Sequence, residues 1–119
     1  MNTERPKRGE IWLVSFDPTI GSEIRKSRPA VVISSDSIGV LPLKLACPVT
    51  EWREDFRHLI WQVKVVPTEK NGLKKPSSID VLQTRCLDLR RFGRRLGVIT
   101  EGQMKDVCLA LSEITESGF

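Results

Sequence analysis

A chain of 119 residues, 39% of them hydrophobic, can bury one core but not two, so residues 1–119 are expected to form a single domain. Nineteen Lys and Arg against fifteen Asp and Glu leave a formal charge of +4, which suits a phosphate-rich partner. No apolar window approaches the ~20 residues of a membrane span, and the first eight residues lack the apolar run of a signal peptide, so the protein is expected to be soluble, cytoplasmic and unexported.

Residues 1–7 read as a short flexible arm. Gly9 then releases Glu10-Ile11-Trp12-Leu13-Val14-Ser15-Phe16, a β-branched and aromatic run with apolar residues on both faces, expected to be a strand covered on both sides. Asp17-Pro18-Thr19 and Gly21 open a long, cation-rich loop. It runs into the apolar stretch 30–34, with Arg28 held extended at its rim by Pro29. Ser34-Ser35-Asp36-Ser37 suits a short turn or helical cap that Gly39 closes.

Residues 43–50 alternate, placing Leu43, Leu45, Cys47 and Val49 inward and Thr50 away from the core. Pro48 within that run argues for an edge or a bulge. After a charged loop over 51–58, residues 59–66 alternate again, with Leu59, Trp61, Val63 and Val65 inward. Residues 67–77 hold Asn71-Gly72 and Pro76 and read as turn; 78–87 read as a strand that bends, 90–95 as a basic turn and 96–99 as a last short strand. The period then changes. Thr100 and Gln103 form a capping box, and Met104, Val107, Cys108, Leu111 and Ile114 recur at helical spacing. Short strands without helices between them exclude a doubly wound α/β fold. A mainly β fold, a small curved barrel or roll with one C-terminal helix, is expected.

Cys47, Cys86 and Cys108 are odd in number, widely spaced and set in apolar surroundings, so they read as reduced core thiols rather than a disulfide framework or a zinc site. The single histidine, His58, reads as a solvated loop residue. No G-x-x-x-x-G-K-[ST] or G-x-G-x-x-G is present, which disfavours nucleotide chemistry. What remains is a set of polar groups at strand ends: Ser22, Glu23, Arg25 and Arg28 from the long loop, Thr50 from the third strand, and Gln83 with Arg85 from a later one. Gln83 and Arg85, two apart, share a face of an extended strand. Such a set can hold a phosphodiester, with Arg for bidentate phosphate binding, a Thr hydroxyl for a further bond, and Glu and Gln for base edges or a ribose hydroxyl.

The blocks Arg8-Gly9-Glu10-Ile11-Trp12, Asp17-Pro18-Thr19-Ile20-Gly21-Ser22-Glu23, Arg28-Pro29-Ala30-Val31-Val32, Ala46-Cys47-Pro48-Val49-Thr50 and Gln83-Thr84-Arg85, followed by the terminal helix, resemble the MazF/PemK family of toxin endoribonucleases in order and across nearly the whole chain. The resemblance implies an SH3-like or plasmid-toxin barrel that forms a homodimer. It also implies metal-independent and cofactor-free cleavage of single-stranded mRNA at short sequences, by attack of the ribose 2′-hydroxyl to leave a 2′,3′-cyclic phosphate, which inhibits translation and growth. The family's catalytic arginine and threonine fall on Arg28 and Thr50. Ser22 and Glu23 match the loop beside the scissile site and Gln83 a recurrent RNA-contacting position. Arg25 and Arg85 join them as substrate-binding residues. A cognate MazE-like antitoxin would cover the groove with an acidic segment, and operator DNA would be bound only by the complex.

Many relatives carry an acidic residue where this chain has Leu82. Since an arginine releases its proton only above pH ~12, Arg28 is expected to stabilise transition-state charge, with Glu23 or solvent taking the 2′ proton. Two other readings compete: a gyrase-inhibiting toxin on the same barrel, which depends on its terminal helix, and a degenerate homologue that binds RNA or antitoxin without cutting.

Overall fold

The structure, a computed structural model, describes residues 5–118. Seven antiparallel strands are found among them, β1 (Glu10–Ser15), β2 (Ser27–Val32), β3 (Leu43–Glu51), β4 (Gln62–Val65), β5 (Ser77–Asp80), β6 (Arg85–Asp88) and β7 (Phe92–Val98), followed by helix α1 (Glu101–Ile114). Their order is β4-β5-β3-β2-β1-β7, with β6 also on β3. The mainly β class with one C-terminal helix is as expected. No helix among the described residues is long and apolar enough to cross a membrane.

β3 organises the sheet. Its first half, Leu43–Ala46, pairs with β6, and its last residues, Val49–Glu51, pair with β5. Pro48, which has no N–H to give, sits between those two partners, opposite Ala30 of β2. The expected edge or bulge is thus a change of partner within one strand.

The single core expected from the length is divided into two clusters, and the two faces of β1 enter different ones, as its two-sided apolar pattern requires. Ile11 joins Val31, Cys47, Val49, Ile79 and Val107 in a cluster between the sheet and α1. Trp12, Val14 and Phe16 join Ala30, Val32 and Leu87 in a second cluster, where Phe92 meets Trp12 edge-on at 6.3 Å. Each fully buried Val, Ile or Phe contributes about 1.5–3 kcal/mol, so neither cluster is dispensable.

Several expectations are corrected. Of the proposed arm, residues 1–4 lie outside the described residues, while 5–7 are held: Pro6 is buried, Arg5 donates to the Leu41 carbonyl and the Lys7 amide to Glu10. β2 begins at Ser27, so Arg28 lies within the strand, opposite Val14. In the first half of β3 the inward face is reversed: Lys44 is 7% exposed, whereas Leu43 and Leu45 are 41% and 39% exposed. Alternation identifies the two faces of a strand but not which one the core takes, and a lysine stem can be buried while its ammonium reaches out. The basic turn 90–95 is largely strand, because β1 pairs with β7 from Phe92 onward. The bend in 78–87 is a 3-10 turn at Val81–Gln83. Cys86 and Cys108 are exposed and only Cys47 is buried. On α1 the capping box is present and Val107 and Ala110 are the buried residues; Cys108 falls one position off the stripe and faces Arg8.

Candidate active site

The loop between β1 and β2 is held from several sides. The Phe16 amide donates to the Lys26 carbonyl at 3.0 Å and closes its base. Glu23 accepts the Ile20 amide through Oε1 at 2.7 Å, and Gln83 accepts the Ile24 amide at 2.6 Å from across the fold. Arg85 donates to the Phe16 carbonyl at 2.9 Å with its guanidinium 5.8 Å from the centre of the Phe16 ring. Arg91 donates to the Asp17 carbonyl at 2.7 Å and to that of Ser15 at 3.1 Å. The bonds from Arg85 and Arg91 are charge-assisted, so the loop is fixed with respect to β6 and to the turn that precedes β7.

Arg28 leaves this loop on β2, half-buried, and its Nε donates to the Arg25 carbonyl at 3.0 Å. That bond fixes the plane of the guanidinium and leaves its outer edge for a ligand. Thr50, half-buried near the end of β3 and opposite Ser78, lines the same open groove of about 550 Å³ as Arg28. Lys74, Lys75, Arg94 and Arg95 line it too, so the groove carries cations from three parts of the chain. Glu51 is its carboxylate, paired with Lys75 at 3.2 Å in an exposed contact of little energetic weight.

Gly72 and Gly97 put those cations there. The Gly72 φ of +67° suits a residue without a side chain. An added Cβ on Gly72 would overlap the Leu96 carbonyl, and one on Gly97 the carbonyls of Lys70 and Asn71. The loop before β5 therefore lies directly on β7, with the Val98 amide donating to Lys70 at 2.9 Å. Buried Asn71 holds its shape by accepting the Thr68 and Leu73 amides and donating to the Val66 carbonyl.

The seven residues singled out from the sequence are split by the fold. Arg28 and Thr50 share the groove. Ser22, Glu23, Gln83 and Arg85 line a separate depression of about 420 Å³, with Leu82 exposed beside them. Gln83 and Arg85 share that side although Gln83 belongs to the 3-10 turn rather than to a strand. Arg25 lines neither hollow and contributes its carbonyl to Arg28. Glu23 thus opens on a different hollow from Arg28 and Thr50, and Arg85 is tied to the Phe16 carbonyl at the base of the loop. The groove cations at 74, 75, 94 and 95 escaped the sequence reading, because Lys-Lys and Arg-Arg pairs in turn-like stretches carry no signal of which way they face. The Gly72 and Gly97 contacts that aim them are long-range.

Residues 7–115 match the family described as PemK-like, MazF-like toxin of type II toxin-antitoxin system. The chain belongs to this PemK/MazF family. It is 33% identical over 110 residues to Endoribonuclease PemK of Escherichia coli, covering 91% of this chain and 80% of that protein. It is 30% identical over 112 residues to Endoribonuclease toxin ChpB of Escherichia coli K12, covering 92% of this chain and 94% of that one. Among solved structures, MazF from Deinococcus radiodurans superposes with a TM-score of 0.78 at 26% identity, over 93% of this chain and 96% of that chain. A chain of a MazE-MazF structure from the same organism superposes with a TM-score of 0.71 at 25% identity, over 93% and 96%. The PemK/MazF fold is thus the frame in which the groove with Arg28 and Thr50 is set.

Proposed function

We propose that this protein is the endoribonuclease toxin of a type II toxin-antitoxin system, cutting single-stranded mRNA at a short sequence without metal or cofactor and so arresting translation and growth in the cytoplasm. The observation that carries the reading is the pairing of Arg28, fixed through its Nε, with Thr50 in one cation-lined groove. The names of PemK and ChpB as endoribonucleases support it.

In this reading the scissile phosphate lies against the Arg28 guanidinium, with the Thr50 hydroxyl donating a further bond. The ribose 2′-oxygen attacks phosphorus; the bond to the 5′-oxygen of the next nucleotide breaks, leaving a 2′,3′-cyclic phosphate and a 5′-hydroxyl. Charge gathers on the phosphoryl oxygens, where a preoriented guanidinium supplies several kcal/mol. Glu23 opens on the other depression with its Oε1 holding the Ile20 amide, so water takes the 2′ proton, and a proton from water completes the leaving 5′-hydroxyl. Ser22, Glu23, Gln83 and Leu82 contact flanking nucleotides there.

Two partners complete the proposal. A second copy of this chain covers exposed Leu43 and Leu45, and a MazE-like antitoxin covers the basic groove with an acidic segment. A MazE-MazF complex among the solved relatives supports the latter.

The test is cleavage of a long unstructured RNA in EDTA, mapped by primer extension. Cuts at one recurring motif, ending in cyclic phosphate and slowed about 100-fold or more in Arg28→Ala and Thr50→Ala, are expected. A folded, antitoxin-free protein that leaves the RNA whole would overturn the reading.

A further inference from the structure

Arg95 lies on β7 opposite Trp12, and the ladder is irregular on both sides of that pair. From Ile11 to Trp12 the partner steps from Gly97 to Arg95, and from Trp12 to Val14 it steps from Arg95 to Phe92. β7 thus carries an extra residue on each side of Arg95. Bulges of this kind re-aim side chains and gather beside functional sites.

The guanidinium is also buttressed. Its Nε donates to Glu10 Oε2 at 2.7 Å, while Glu10 Oε1 accepts the Lys7 amide at 2.7 Å and the Trp12 indole at 3.0 Å. Burial draws the Glu10 pKa up, but these donors and the charge of Arg95 outweigh it and hold the carboxylate below its ordinary value. Glu10 is therefore a fixed anion. Among the described residues the terminal nitrogens of Arg95 have no protein partner, and the side chain lines the groove with Arg28.

The two arginines are built alike. Each is tied through Nε, one to the Arg25 carbonyl and the other to Glu10, and each keeps its outer edge open. They are rooted on β2 and β7 with β1 between, Arg28 facing Val14 and Arg95 facing Trp12, so two strand spacings across and two residues along put them roughly 12 Å apart. Each guanidinium is thus held on its own anchor, Arg25 for one and Glu10 for the other. We propose that Arg95 binds the phosphate adjoining the scissile one on the same RNA strand, with Glu10 as its positioning residue. This rests on the endoribonuclease reading above.

The probe is an oligonucleotide of the mapped cut site in uncleavable 2′-O-methyl form, titrated across salt concentrations. Arg95→Ala is expected to bind about tenfold more weakly, with the slope of log affinity against log salt reduced by about 0.7, the value for one phosphate on a single strand. Arg95→Lys restores the slope but not the full affinity, because an ammonium lacks the fork and the Nε tie. Glu10→Gln keeps an acceptor for Trp12 and Lys7 but loses the charge that holds Arg95, so affinity falls partway with the slope intact. In oligonucleotides carrying one neutral methylphosphonate each, the Arg95→Ala deficit disappears at a linkage next to the cut.

Wild-type affinity and slope in Arg95→Ala would overturn the inference, leaving an exposed ion pair with no ligand. So would a deficit that vanishes at the scissile linkage itself or at none. A wild-type protein that neither binds nor cuts RNA would overturn the endoribonuclease reading, and this inference with it.

Discussion

Burial pushes the Cys47 thiol up to about 12; a 3.1 Å hydrogen bond with Thr84 pulls the other way, while Asp80 and Cys108 add to the rise. Cys47 is accordingly expected to resist a thiol reagent at pH 8 until the protein unfolds, which mass spectrometry after timed labelling would reveal. Asp80 is the costlier neighbour. It is buried, its Oδ1 has no partner, and burial raises its pKa against the pull of the Gln83 amide, Gln62 and the Leu82 amide. An unfolded aspartate ionises near pH ~4, whereas folded Asp80 holds its proton to higher pH. Stability therefore falls as pH rises through that window and stays lowered above it. Asp80→Asn should raise stability at pH 7 by about 1 kcal/mol and lose the gain below pH ~4, as urea titrations at the two pH values would measure. Glu23 offers a complementary test: Gln can still accept the Ile20 amide, so the pH–rate profile of Glu23→Gln should keep its wild-type shape.

The loop before β5 and the strand β7 work as one unit, joined where Gly97 meets Lys70 and Asn71. Gly97→Ala is expected to cost about 2 kcal/mol or more, since backbone has to move to admit the methyl group. Gly102→Ala is the contrasting case. In the first turn of α1 its Cβ would meet only Thr100 Oγ1 at 3.8 Å, and it should stabilise by about 0.5 kcal/mol. Denaturant midpoints of both variants check the pair. α1 was legible because its cap and its stripe are local patterns, and β1 because aromatic and β-branched residues crowd a short run. β7 was not. Its arginines mimic a turn until β1 is known to lie beside them, and its double irregularity depends on the partner strand.

At the scale of the molecule, exposed Leu43 and Leu45 adjoin a further apolar run, with Leu41 52% and Val40 90% exposed. Such surface suits an interface. Replacing Leu43 and Leu45 together with Glu should yield a folded monomer by sedimentation, whereas a protein that is already monomeric at micromolar concentration would refute the homodimer. The fold class was readable in the sequence because strand-length runs and a terminal helix exclude most architectures. The two cores were not, since only pairing decides which face of β3 turns inward. The candidate site was half legible: Pro29 marks Arg28 and the end of an alternating run marks Thr50, although Arg28 lies inside β2 rather than at its rim. The division into two hollows arises from a 3-10 turn and a clamped loop, which spacing alone does not encode.

The bonds that hold the β1–β2 loop also determine where entropy is lost on binding. Ordering a free segment costs about 1–2 kcal/mol per residue, and this loop is already tied by Gln83, Arg85 and Arg91 before any ligand arrives. For the proposed RNA substrate, the ordering cost of recognition then falls on the RNA, so segments that are already extended and unstacked should be bound first.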